Sequence, residues 1–132
     1  EVAGAYSAHF VIETNKSDLD LSVTFYEQRT DGTWLQLASY LGRASFMRDP
    51  TRRQLLTPRR AERLDFESQT VTGRQVMAGS RLVAVIGVPL QPDIQINYGT
   101  GKDVSDETIA DAGEPLRIAW RAGSYLELRV TR

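Results

Sequence analysis

Apolar and polar residues alternate along most of the chain with a period of two. In residues 19–26, Leu19, Leu21, Val23 and Phe25 fall on one side of an extended backbone, with Asp20, Ser22, Thr24 and Tyr26 on the other. Successive side chains of a strand point to opposite faces, so this segment predicts a strand with one face buried. Residues 6–13 alternate less cleanly and place Tyr6, Ala8, Phe10 and Ile12 together. Residues 34–41 place Leu35, Leu37 and Leu41 opposite Trp34, Gln36 and Tyr40. Leu64 and Phe66 mark another strand, and residues 81–88 are apolar on both faces, the pattern of a central strand. Leu116, Ile118 and Trp120, then Leu126, Leu128 and Val130, predict the last two.

The breaks between these runs carry turn chemistry. Asp31-Gly32 predicts a hairpin between two alternating segments. Asp49-Pro50 and Thr57-Pro58 predict turns, because proline fixes φ and drives the preceding residue out of the helical region. Ala122-Gly123 predicts a short turn between the final strands. One helical segment is expected near 105–112, with Ser105 as cap, Asp106 and Glu107 in the first turn and Gly113 at the end. Seven to eight or more strands with one short helix at most define an all-β fold. The expected form is a β-sandwich, of which a jelly roll is one version. The long irregular connection from Gln91 to Glu114 invites a functional reading.

Composition narrows the function classes. A length of 132 residues suits a single domain spanning 1–132. The longest apolar run, Leu82 to Leu90, is interrupted by Gly87 and Pro89 and falls short of the ~18 residues of a membrane helix. With no cysteine, disulfides and thiolate metal sites are excluded, a composition that fits a cytoplasmic protein but leaves the compartment open. A net charge of −1 gives no general attraction to nucleic acid. The chain opens at Glu1 without an initiator Met or a signal-like segment, the expectation for a processed chain or an excised fragment.

Candidate chemistry is sparse. Residues 97–102, Asn-Tyr-Gly-Thr-Gly-Lys, resemble part of a phosphate-binding loop, but Ile96 stands where the first glycine belongs and Asp103 where Ser or Thr would hold magnesium. The plain reading is a backbone that needs positive φ or close approach. Asp103, Ser105, Glu107, Asp111 and Glu114 match ligand spacings of a twelve-residue calcium loop, yet Thr108 occupies the glycine position. Acids around a short surface helix explain them better, and no cofactor or metal is expected. His9 is the lone histidine, on a strand face with Ser7 and Glu13, and no Gly-x-Ser-x-Gly elbow occurs. Asp18 and Asp20 face the same way at a strand start, either as an acid pair with split pKa values or as polar residues ending a loop. Asn15-Lys16-Ser17 is a glycosylation sequon.

Charge is concentrated between Arg43 and Arg63. Arg43, Arg48, Arg52, Arg53, Arg59, Arg60 and Arg63 face only Asp49 and Glu62, a local net of +5. Guanidinium forks suit phosphate, carboxylate or an acidic partner surface. Phe46 is the only aromatic within the segment, which disfavours single-strand stacking and favours a solvated or domain-docking face.

Several blocks then combine. SAHFVIETNKSDLDLSVTFYE, YLGRASF, RQLLTP, GSRLVAVIGV and QINYGTGKDVSDETIADAGEPLRIAW follow in this order. Together they resemble the C-terminal domain of X-prolyl dipeptidyl peptidases and cocaine-esterase-like serine hydrolases. The resemblance covers nearly the whole chain and implies a β-sandwich of jelly-roll type, like galactose-binding domains. It further implies a noncatalytic domain that packs on an N-terminal α/β-hydrolase domain, which holds the Ser-His-Asp triad, and helps wall its cleft. None of those triad roles transfers to a residue here. Arg59, after Pro58 where glycine is common, and Arg129, where proline is common, depart from the expected pattern.

On that reading the docking surface comprises Arg43, Arg48, Arg52, Arg53, Asn97, Tyr98, Gly99, Thr100, Gly101 and Lys102. The expected partner is the hydrolase domain, with no nucleic acid and no membrane, and with sheet edges available for a homo-oligomer. A carbohydrate-binding sandwich is the alternative, with Trp34, Tyr40 and Tyr98 as platforms.

Overall fold

The computed structural model describes residues 1–68 and 70–131. Its strands are β1 (Val2–Thr14), β2 (Asp20–Gln28), β3 (Trp34–Arg43), β4 (Ala61–Glu67), β5 (Thr72–Arg74), β6 (Arg81–Gly87), β7 (Ile118–Trp120) and β8 (Tyr125–Val130). Two antiparallel sheets face each other in a β-sandwich, the class that the period-two pattern predicts.

The first sheet is organised by β1. One edge of β1 pairs with β4 along Ser7–Glu13 and then with β5 along Val2–Gly4. The opposite edge pairs with β8 and then with β7. The last two strands therefore do not fold back on each other across Ala122-Gly123, as a hairpin would. They run end to end along β1, interrupted by a short excursion. Arg121 N–H donates to Val11 O at 2.8 Å, and Val11 N–H donates to Ser124 Oγ at 2.9 Å, which keeps the β1 backbone satisfied across the gap. The second sheet has the order β3-β2-β6.

Between the sheets lies one apolar core. Tyr6, Ala8, Phe10 and Ile12 of β1 meet Leu21, Val23 and Phe25 of β2, with Leu64 and Phe66 of β4. All are almost fully buried, as their alternation predicts. Each large apolar side chain removed from water contributes about 1.5–3 kcal/mol. Tyr6 packs edge-on to Phe25 with ring centroids 4.5 Å apart and donates its hydroxyl to Val23 O at 2.8 Å. Burial pushes that phenol's pKa up.

Strand β3 departs from the simple alternation. Phe25 pairs with Ala38 and Tyr26 with Gln36, so Leu37 is an extra residue, a β-bulge. Past it the inward set switches from odd to even positions. Ala38 and Tyr40 face the core, and Leu41, expected inside, is 50% exposed. Tyr40 stacks on Phe66 with centroids 3.8 Å apart. Gly42 leaves the room for this, since a Cβ there would sit 2.1 Å from the Tyr40 hydroxyl.

Strand β6, read as central from its apolar composition, is an edge strand that among the described residues pairs with β2 alone. Leu82, Val85 and Ile86 remain 37–48% exposed. Residues 105–112 form no continuous helix. Two 3-10 turns, Val104–Asp106 and Ile109–Asp111, flank extended Glu107 and Thr108. The cap of the first is Asp103, which accepts Ser105 N–H at 3.0 Å, and Ser105 itself does not fill that role.

Candidate functional site

The 97–102 loop and the arginine segment meet at one end of the sandwich, against the 15–20 connection. Gly99 and Gly101 have φ of +79° and +90°. A Cβ on Gly99 would lie 2.7 Å from both Asp18 O and Lys16 Cβ, and one on Gly101 would lie 2.9 Å from Leu55 Cδ1. Positive φ favours glycine at both positions, and at Gly99 the approach of the Asp18 backbone also excludes a side chain. Ser17 N–H donates to Gly99 O at 3.0 Å, tying the loop to the β1–β2 connection.

The loop does cradle an anion, and that anion is the chain's own Glu107. Tyr98 N–H donates to Glu107 Oε2 at 2.7 Å, and Thr100 N–H donates to Oε1 at 2.9 Å. The Thr100 hydroxyl donates to the same Oε1. Successive backbone amides around glycine form a concave anion site, here filled from within. Lys102, placed where a phosphate-loop lysine would be, donates from Nζ to Asp111 Oδ1 at 2.7 Å. That contact, with the Thr108 N–H and hydroxyl, lowers the Asp111 pKa to about 2.

The acids of the supposed calcium loop do not converge. Asp103 caps a turn, Glu107 faces the glycine loop and Asp111 faces Lys102 and Thr108. Among the described residues, no group of three or more His, Asp or Glu is placed to hold a metal ion.

Asp18 and Asp20 each serve an arginine. Asp18 is fully buried and accepts Ser45 N–H at 3.0 Å, Ser45 Oγ–H at 2.7 Å and Arg53 Nη2 at 3.2 Å. Asp20 takes both forks of Arg43, at 2.9 and 3.2 Å, together with Asn97 Nδ2 at 2.9 Å. The Arg43 pKa is raised first by the Asp20 hydrogen bonds. Arg53 also donates to Lys102 O at 2.5 Å, joining the arginine segment to the loop. Arg48 pairs with Glu62, whose other oxygen accepts Thr57 N–H at 2.6 Å.

Of the ten residues of the candidate docking surface, Arg43 and Arg53 are brought against the 97–102 loop, and the set is divided by use. Arg43, Arg53, Asn97 and Thr100 hold the rim together, and Gly99 is buried. Tyr98 and Gly101 are half-buried, while Arg48, Arg52 and Lys102 are exposed. Among the described residues, Arg52, Arg59 and Arg60 make no ion pair. Sequence reasoning missed Glu107 as the loop's anchor and Glu62 as partner of Arg48. Both contacts cross intervals that no local motif marks.

The remaining candidates lie apart. His9 sits on the outer face of the first sheet, its Nδ1 2.6 Å from Asp65 Oδ1 and its ring stacked on Tyr125. Ser7 Oγ–H donates instead to Glu127 at 3.2 Å. Trp34 is 49% exposed on the outer face of the second sheet beside Tyr26, Tyr40 belongs to the core, and Tyr98 lines a separate groove with Leu90 and Ile96. These three aromatics share no platform. The sequon residue Asn15 donates to Pro115 O and accepts Arg117 N–H, so its amide is engaged at both ends.

No protein-family model and no curated protein matches the sequence. Solved structures do resemble the fold. One is an aminopeptidase from a marine sediment archaeon, Thaumarchaeota archaeon, with a TM-score of 0.83 and 16% identity. Another is an α-amino acid ester hydrolase, with a TM-score of 0.80 and 17% identity. In each case the match covers 96% of this chain and 23% of the other, so the chain spans about a quarter of the length of these structures and shares its fold with one part of a larger hydrolase.

Proposed function

We propose that this chain is the noncatalytic domain of a serine hydrolase of esters or amides, packed on an α/β-hydrolase domain whose active-site cleft it helps to wall. The observation that carries this reading is the fold match over 96% of the chain to a fraction of two hydrolases. The ordered sequence blocks that resemble the X-prolyl dipeptidyl peptidase and cocaine-esterase-like group point the same way. The docking surface is the rim of Arg43, Arg48, Arg52, Arg53 and residues 97–102. Its internal hydrogen bonds support a rigid shape, and exposed Arg52 is the member of the rim whose charge is not already matched within the described residues. A preorganised rim suits docking because little conformational entropy is lost on contact.

Kinetics on the isolated chain test the proposal. Aminoacyl and X-Pro p-nitroanilides and aryl esters should be turned over no faster than in a blank containing Ser7→Ala, His9→Ala protein. Saturable hydrolysis that this double substitution abolishes would overturn it.

A further inference from the structure

Four rows of strand form the outer edges of the two sheets, and three of them are guarded. The β4 row presents Arg63, Asp65 and Glu67, and the β8 row presents Glu127 and Arg129. The edge at β3 carries the Leu37 bulge and ends at Arg43. Charges and bulges of this kind stop an edge from pairing with another chain. The fourth edge, β6, has no bulge, and its one charge is Arg81 at the start of the strand. From Leu82 to Ile86 it holds no charge, no proline and no bulge, and its seven-residue register with β2 is unbroken.

Its side chains are also left unfinished. Leu82, Ala84 and Ile86 point toward the core, paired across β2 with Glu27, Phe25 and Val23. Ala84 packs on the core, but Leu82 and Ile86 stay 40% and 37% exposed, since among the described residues no strand pairs with the outer edge of β6. Val85, on the outer face, is 48% exposed. The sequence of the segment is Leu-Val-Ala-Val-Ile, which reads nearly the same from either end about Ala84.

We infer that β6 pairs antiparallel with β6 of a second copy of this chain, about a two-fold axis at Ala84, joining two three-stranded sheets into one of six. In that register Leu82 faces Ile86 of the second copy, Val83 faces Val85, and Ala84 faces itself. Residues that face each other across a two-fold pair lie on the same side of the sheet. Leu82 and Ile86 therefore cover each other on the core side, and Val83 and Val85 do so on the outer side. The small residue falls on the axis, where the two backbones meet without crowding. A hydrolase strand or an unrelated peptide would have no reason to match this symmetry. The inference extends beyond the docking rim, which lies among different residues.

Sedimentation of the 132-residue chain tests it. A species of about 30 kDa, twice the 14.8 kDa chain, should dissociate on dilution. Val85→Lys should weaken association by about tenfold or more, because it places a charge on the shared edge, with circular dichroism unchanged. The chain lacks cysteine, so the Val83→Cys, Val85→Cys double variant reads the register independently. Oxidation should give a covalent dimer with 83–85 bridges by mass spectrometry. A chain that stays at 14.8 kDa at every concentration overturns the inference. So does a dimer indifferent to Val85→Lys, or cross-links in another register. Should Val85→Lys fail to fold, the cross-link decides alone.

Discussion

The carboxylate of Glu107 accepts the backbone N–H of Thr100 at 2.9 Å, and that contact explains why residues 97–102 look like a phosphate loop without being one. The glycines shape a nest of amides, and an internal carboxylate fills it. Glu107→Ala would leave two backbone donors and a hydroxyl without their acceptor, at a cost of about 1–3 kcal/mol. Urea denaturation should show this loss, with a smaller one for Glu107→Gln, which retains one acceptor oxygen. Added phosphate should not raise the stability of the wild type, because its nest is already occupied.

Asp111 should make the loop acid-sensitive. Its folded pKa is held at about 2, first by the Lys102 hydrogen bond, below the ordinary 3.8. A lowered carboxylate pKa means the unfolded state binds the proton more readily, so stability falls as pH falls. The contribution is complete above the unfolded pKa and disappears between about pH 4 and about pH 2. Thermal melts across that window should show a steeper decline for wild type than for Asp111→Asn. Equal slopes would mean that the Lys102 contact does not persist in solution.

Arg59 has φ of +65°, the left-handed region, and its N–H donates to Thr14 O at 2.6 Å. A side chain with a Cβ pays roughly 1–2 kcal/mol there. Glycine removes that strain but adds freedom to the unfolded chain, worth roughly 0.4–1 kcal/mol. Arg59→Gly should therefore stabilise by up to about 1 kcal/mol, and Arg59→Val should destabilise, since β-branched residues tolerate this region least. Chemical denaturation of the two variants gives the sign directly.

Glu27 is a fully buried carboxylate at the far end of β2. Met77 N–H at 2.8 Å and Ser80 Oγ–H at 2.9 Å donate to one oxygen, and Arg74 approaches the other at 3.4 Å. The Met77 hydrogen bond leads in lowering its pKa, against the opposing effect of burial. Glu27→Ala should destabilise more than Asp65→Ala, whose carboxylate is half-exposed. Hydrogen exchange should localise the loss to residues 75–80, the connection that Glu27 fastens.

The bulge at Leu37 sets which β3 positions tolerate charge. Leu41→Glu should change stability by no more than about 0.5 kcal/mol, as surface substitutions do. Ala38→Glu buries an unpaired carboxylate and should unfold the domain or come near it. Comparable melting temperatures for the two would contradict the register.

Period-two alternation made most of the fold legible, because β1, β2 and β4 each have one buried face. It failed where pairing, rather than pattern, decides. Nothing local marks Leu37 as a bulge, so Leu41 was expected inside. The apolar run of β6 suggests two covered faces, but strand order is a tertiary property, and β6 lies at an edge. At the rim, glycines 99 and 101 announced a tight path. Its cause, the approach to Lys16, Asp18 and Leu55, spans residues far apart in sequence. The arginine cluster was visible as charge, while its partition into rim-holding and solvent-facing members depends on carboxylates at 18, 20 and 62.

Fluorophosphonate labelling of the longest natural protein that contains this chain tests the central claim most directly. Peptide mapping should place the labelled serine outside these 132 residues, in a segment of α/β-hydrolase type. Deleting the 132 residues should impair turnover of ester or amide substrates while the reactive serine remains in the chain. A labelled serine within residues 1–132, or activity indifferent to their deletion, would contradict the assignment of a noncatalytic domain that shapes the cleft.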